Sequence, residues 1–250
     1  MLELLLPIIL LVIVLVSIHS WFGLHIIKRG IIFTDLAIGQ IAAVGSAISV
    51  SFFHAEHLYL WTLSFALFGA FLITFAVHRL KHIESFIGLI YVLGASSVML
   101  VLTQNPEGSE HFSALLATDI LFTSTEDIIK SIFIYMGVAL ALRFILPRFN
   151  GLSYELLFFT LLGVTVTSSV QLVGVLVVFV FLIAPALIGL MQARFNSYLV
   201  ALVVGSTFSI SAIVISFYLD LPTGYAIVFL GAILGVVASF IFPSAKKETY

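Results

Sequence analysis

Cysteine is absent from all 250 residues. Its absence excludes disulfides, thiolate metal sites and cysteine nucleophiles together, and leaves the redox compartment unmarked. Charge is nearly as scarce. Charged residues make up 9% of the chain and apolar ones 62%, against roughly 25% and about 45–50% in soluble domains. A domain of this size still exposes roughly a quarter of its unfolded surface, so this composition cannot coat a water-soluble globule. Mean hydropathy is +1.27. A soluble enzyme, a disordered chain and a nucleic-acid binder are excluded, and the solvent is a lipid bilayer. The net charge of −2 creates no bulk field that would select partners. No glycine is followed by lysine, so the phosphate-binding loop GxxxxGK[ST] cannot form. If ATP drives this protein, another chain binds it. HExxH, GxSxG and paired carboxylates on one span are also missing. The expectation is therefore a chain that is not an enzyme and binds no resident cofactor.

What is present is long apolar runs. "LLLPIILLVIVLV" and "VGVLVVFVFLIAPALIGL" do not alternate apolar with polar, as barrel strands do. Helices are the remaining way to satisfy the backbone in lipid. Charges and turn formers divide the chain into about nine spans, near 3–24, 31–53, 58–77, 85–103, 128–147, 153–169, 171–192, 197–218 and 222–242. The block 153–192 is too long for one helix, and its polar cluster "TVTSSVQ" reads as a tight turn between two. The fold class is all-α and polytopic, a single transmembrane domain over 1–250. The start "MLELLLP" lacks a basic flank and carries Glu3, which reads as a retained first helix rather than a cleaved signal.

The charges are sorted by side. Lys28, Arg29, Arg79, Lys81, Arg148, Arg194, Lys246 and Lys247 fall on one side of a nine-span arrangement. Glu3, Glu56, Glu107, Glu110, Asp119, Glu126, Asp127 and Asp220 fall on the other, where Lys130 is the one cation near a helix end. By the positive-inside rule this predicts the N-terminus outside and the C-terminus inside.

Few residues can carry chemistry. Asp35 lies one turn into the second span, where a carboxylate costs about 2.5–3.5 kcal/mol at a helix centre and usually lines a cavity. An interfacial Asp pairing Lys28 or Arg29 is the plainer alternative. Gln40 is the next polar residue, but five steps rotate about 140° along an α-helix, so the two share a face only across a π-bulge. "HAEH" places His54 and His57 beside Glu56 in an outer loop, and His78 and His82 lie among cations that oppose metal binding. The stretch from Pro106 to Asp127 reads as an interfacial amphipathic helix. Glu107 and His111 stand four apart on it, an outer metal funnel or a cap over the pore. His19 reads as a satisfied interior histidine. Pro185 is expected to kink its span, and Gly231 and Gly235 to form a close-packing face.

Four segments together resemble one family. "SVQLVGVLVVFVFLIAPA" (Ser169–Ala186) is similar to the signature VGvLLvfallilPA, and "SFYLDLPTGYAIV" (Ser216–Val228) to SyylDlPtGatiV. "EGSEHFSALLATDILFTSTEDI" and "RGIIFTDLAIGQIAAVGSA" resemble the middle and second-span motifs. In order, they resemble the membrane permease subunit of zinc/manganese/iron-chelate ABC importers. The resemblance implies a permease that works as a homodimer, with a separate ABC ATPase subunit inside and an extracytoplasmic solute-binding protein outside. It implies a multi-pass protein of a prokaryotic cytoplasmic (inner) membrane, transporting zinc or manganese. The family pairs an Asp with a His four residues on. Here Asp35 matches the Asp, and position 39 is Gly39. Asp35 and Gln40 are the candidate pore ligands. The segment around Arg148, where the family docks its ATPase, is shorter, and Thr118 stands where Gly is usual. A proton-coupled secondary transporter, or a permease-derived membrane protein that no longer transports, are the alternatives.

Overall fold

A computed structural model describes residues 2–104, 120, 123–192 and 194–242, with the side chains of residues 2–5 left aside. The described residues are helical, with no strand among them. We number the helices α1 (Leu2–Arg29), α2 (Thr34–Phe53), α3 (Leu58–Arg79), α4 (Ile83–Leu102), α5 (Thr125–Leu140), α6 (Gly151–Val173), α7 (Val175–Met191), α8 (Ser197–Leu219) and α9 (Thr223–Ile241). A π-turn over Ala141–Ile145 and a 3₁₀ turn over Leu146–Arg148 prolong α5. Eight of these helices, α5 with its extension, are long and apolar enough to cross a membrane, and α7 is apolar but shorter. Its 17 residues sit at the low edge of the roughly 17–25 that span a bilayer. Large apolar side chains face outward on many of them. Leu89 is 69% exposed, Met99 67%, Phe133 63% and Phe240 84%, a surface that suits lipid or an apolar partner rather than water.

The helix ends explain the segmentation. Ser124 caps α5, its Oγ accepting the Asp127 N–H at 3.1 Å and donating to Asp127 Oδ2 at 2.6 Å. Asn196 caps α8 through Oδ1, which accepts the Tyr198 N–H at 2.9 Å. Helix α8 ends where Asp220 turns left-handed (φ 53°), and Pro222 precedes the first residue of α9. Between α2 and α3 the backbone turns through His54, Ala55 and His57, all at positive φ. The Ser49 hydroxyl donates to the Glu56 carbonyl across that turn at 2.9 Å.

The turn expected at "TVTSSVQ" lies elsewhere. Those residues stay helical, and the break is at Gly174, with φ 81° and ψ 159°. Thr165 donates to the Leu161 carbonyl at 2.8 Å and Ser169 to the Thr165 carbonyl at 2.7 Å. Hydroxyls bonded back to their own helix do not interrupt it. The backbone region at Gly174 is one that essentially only glycine adopts.

The described residues group into two compact units. Residues 30–175 form one. In it α2 packs against α3, α4 and α6, and α5 packs against α6. Close approach needs small residues: a Cβ on Gly45 would meet the Trp61 carbonyl oxygen, and one on Gly94 would stand 2.8 Å from Gln40 Cβ. Residues 1–29 and 176–250 form the other, where α8 packs against α1 and α9. There a Cβ on Gly23 would strike the Leu182 carbonyl oxygen, and one on Gly189 the Ser197 carbonyl oxygen. Gly231 is closed in by Val180 and Phe208, and Gly235 lies against Ala184, so the expected small-residue face of α9 is a packing face. Pro185 is buried within α7 and lies against Gly205.

Candidate functional site

Within the unit of residues 30–175, the site is built on the start of α2. Gly30 turns the chain left-handed (φ 68°), and Thr34 Oγ1 donates to the Ile31 carbonyl at 2.7 Å. Asp35 follows as the second residue of the helix, 2% exposed. Its Oδ1 is buried and has no hydrogen-bond partner. The positive end of the helix dipole compensates part of its charge, but a buried acceptor without a donor still costs about 1–3 kcal/mol. A second acid stands at the same helix end. Glu84, in the first turn of α4, accepts the Phe33 N–H on Oε1 at 3.4 Å. Its Oε2 is buried and unpartnered.

Helix α2 is regular through Asp35, Gly39 and Gln40. Position 39 is therefore the one that follows Asp35 on the same face. A Cβ there would meet Val175 at 3.6 Å and Val166 at 3.7 Å, so the face beyond Asp35 is apolar and accepts a Cβ at ordinary contact. Gln40 abuts Gly94 of α4 with its Cβ. No π-bulge brings Gln40 round to Asp35.

Sequence reasoning missed a hydroxyl cluster between α5 and α6. Tyr135, 2% exposed, places its hydroxyl 3.1 Å from Ser168 Oγ and 3.0 Å from Ser169 Oγ. Ser131 donates to the Asp127 carbonyl at 2.7 Å, so polar residues recur at 127, 131 and 135 along α5. That i, i+4, i+8 spacing is visible in the sequence, but the serines opposite read there as part of a turn. Nearby, Thr167 Oγ1 is buried without a partner.

In the other unit, His19 is fully buried. Its Nδ1 lies 2.8 Å from the Leu15 carbonyl and so must be the donor. Nε2 has no partner, and the histidine is satisfied at one nitrogen only. His54 and His57 are exposed at the α2–α3 turn, and His78 and His82 flank the α3–α4 connection. No group of three or more His, Asp or Glu capable of holding a metal occurs among the described residues. Glu107 and His111, the candidate outer funnel, lie outside the described residues, as does most of the amphipathic stretch around them.

Comparison with known proteins supports one family. Residues 148–242 match the model of the ABC 3 transport family. A probable iron transport system membrane protein of Haemophilus influenzae is 28% identical over 186 residues, covering 67% of this chain and 65% of that relative. The chelated iron transport system membrane protein YfeC of Yersinia pestis is 27% identical over 200 residues, covering 71% and 68%. The alignment thus spans just under two thirds of the first relative. Among solved structures, PsaBC from Streptococcus pneumoniae in complex with Fab shares the fold with a TM-score of 0.72 at 21% identity, covering 96% of this chain and 92% of that one. A structure described as an inward-facing metal-chelate type ABC transporter gives 0.69 at 18% identity, covering 94% and 85%. The resemblance read from the sequence thus has support from independent comparisons: the C-terminal part of this chain, helical throughout its described residues, is similar to the ABC 3 transport family.

Proposed function

We propose that the chain is the membrane permease subunit of an ABC importer that moves a divalent transition metal across the cytoplasmic membrane of a prokaryote. ATP is hydrolysed on a separate subunit, an extracytoplasmic binding protein delivers the metal, and a second permease copy completes the pathway. The N-terminus lies outside and the C-terminus inside, following the sorted charges. Manganese and zinc are the expected metals. Ferrous iron joins them, because both curated relatives are described as iron transport proteins.

The observation that carries this reading is Asp35, a carboxylate 98% out of contact with solvent whose Oδ1 has no donor. A buried acid inside a span marks an ion path by default. Carboxylate oxygen suits Mn²⁺ and Fe²⁺ and is acceptable to Zn²⁺. Transport requires that the site bind differently in its outward and inward states, not that it bind tightly in either. Gln40 turns away from Asp35 along a regular helix and packs toward Gly94, so Asp35 acts without it, and Glu107 and His111 gather cations at the outer mouth.

The test is uptake of Mn²⁺, Fe²⁺ and Zn²⁺ into liposomes holding the chain with its ATPase and binding protein. ATP-dependent uptake is expected, with Asp35→Asn reducing it to background while the complex still assembles. Unchanged uptake by that variant removes Asp35 from the path. Uptake driven by a proton gradient without ATP identifies a secondary transporter instead.

A further inference from the structure

We propose that the C-terminal end of α3 binds an anionic phospholipid, its phosphate on Arg79 and Lys81 and an acyl chain along Phe75, Phe71 and Phe68. The site is separate from Asp35 and stands whatever the chain transports.

Helix α3 has two unlike faces. Ala66, Gly69, Ala70 and Ile73 are buried. A Cβ on Gly69 would stand 3.3 Å from Ile41 of α2, and one on Gly163 of α6 3.7 Å from Ala70 Cβ, so neighbouring helices occupy this face. Phe68, Phe71 and Phe75 are exposed. They recur at i, i+3 and i+7, the spacing of one helix face, and the Phe71 and Phe75 ring centroids lie 4.7 Å apart. Arg79, exposed and the last residue of α3, comes next on that stripe, four residues after Phe75. An arginine that closes a lipid-facing stripe lays its stem beside the acyl chains and holds its charge at headgroup depth.

Length and charge then name the occupant. From Phe68 to Arg79 the helix rises about 16 Å, which matches half of the roughly 30 Å hydrocarbon core. A lipid whose phosphate meets Arg79 therefore has the three rings beside its chain as far as the middle of the bilayer. Among the described residues neither Arg79 nor Lys81 is held in an ion pair. Lys81 follows across the extended Leu80, at most about 7 Å of chain away. Glu84, the nearest acid along the chain, accepts the Phe33 N–H. A guanidinium offers paired donors to phosphate oxygens, and an ammonium adds a point charge. Two such cations select a headgroup of net negative charge over a zwitterionic one on the same chains. Arg143 differs, because its guanidinium lies over the Phe144 ring, 5.8 Å from the centroid.

The test reconstitutes the full chain in vesicles of phosphatidylglycerol and phosphatidylcholine with identical acyl chains, extracts it in mild detergent, and measures the retained lipids by mass spectrometry. The wild-type chain is expected to retain phosphatidylglycerol in excess of its share in the vesicle. Arg79→Gln is expected to lower that excess about fivefold, the effect of one cation at a membrane surface. Arg148→Gln removes the same charge from the turn after α5 and is expected to leave the excess unchanged. Phe75→Ala should lower retention of both lipids without changing the headgroup preference, and unchanged retention there removes the acyl contact. Equal losses in Arg79→Gln and Arg148→Gln mean a general attraction to basic surface and overturn the site. An unchanged excess in Arg79→Gln overturns it too, and if that variant recovers less of the ATPase subunit, the surface belongs to a protein partner instead.

Discussion

Asp35 and Gln40 are five residues apart, and their fates separate within about a turn and a half of helix. Asp35 was legible as a charge where a span allows few. The neighbourhood of its helix end was not, because it depends on a contact 51 residues distant, that of Phe33 with Glu84. Gln40 is held by the glycine opposite it. At 2.8 Å from Gln40 Cβ, an added Cβ on Gly94 forces the helices apart, since real Cβ atoms do not approach so closely. Gly94→Leu is expected to destabilise the unit by about 1–3 kcal/mol, the range for overpacking, read as a lower melting temperature in detergent. Gly39→Leu meets only ordinary contacts at Cβ and is expected to cost less than Gly94→Leu. A reversed order would mean that α2 does not face its neighbours as described.

At the scale of elements, the helices were read from apolar runs with ends displaced by a few residues. The largest error concerns the pair α6 and α7. Polarity suggests a turn, whereas in lipid a threonine or serine can bond to the carbonyl four residues back and remain in the helix, as Thr165 and Ser169 do. The informative residue was Gly174, alone among valines and leucines and held at φ 81°. Gly174→Ala is expected to cost about 1–3 kcal/mol, the strain of placing a Cβ in that region, although nothing lies within 4 Å to clash with it. Thermal unfolding of the variant checks this, and an unchanged midpoint would show that the break is not held at that backbone angle. Tyr135→Phe tests the hydroxyl cluster. Interhelical hydrogen bonds in membranes average about 0.6 kcal/mol, so a loss within about twice that value fits a bond that joins α5 to α6.

At the scale of the whole molecule, composition alone identified the solvent, and the exposed Leu89, Met99, Phe133 and Phe240 agree with it. Orientation is testable with little background because the chain has no cysteine of its own. Single cysteines at Ala55 and Asn150, both exposed in connections, are expected to differ toward a membrane-impermeant maleimide applied to intact cells. Ala55→Cys should react and Asn150→Cys should not. The reverse pattern would invert the proposed topology. The grouping of helices was not legible, because apolar periodicity says which side of a helix is buried but not by which neighbour.

Helix α1 belongs to the unit completed by α7, α8 and α9. During synthesis it enters the bilayer well before α8, the helix it packs against within that unit. Its buried His19 and Ser20 face lipid or provisional neighbours throughout that interval, when a polar side chain has its greatest cost. Residues 30–175 contain their own packing partners and can assemble in the meantime. A chain stopped after Val173 should therefore yield a protease-resistant core of α2 to α6 and an α1 still lacking α8, so that the order of translation, and not only the final packing, determines when the second unit forms.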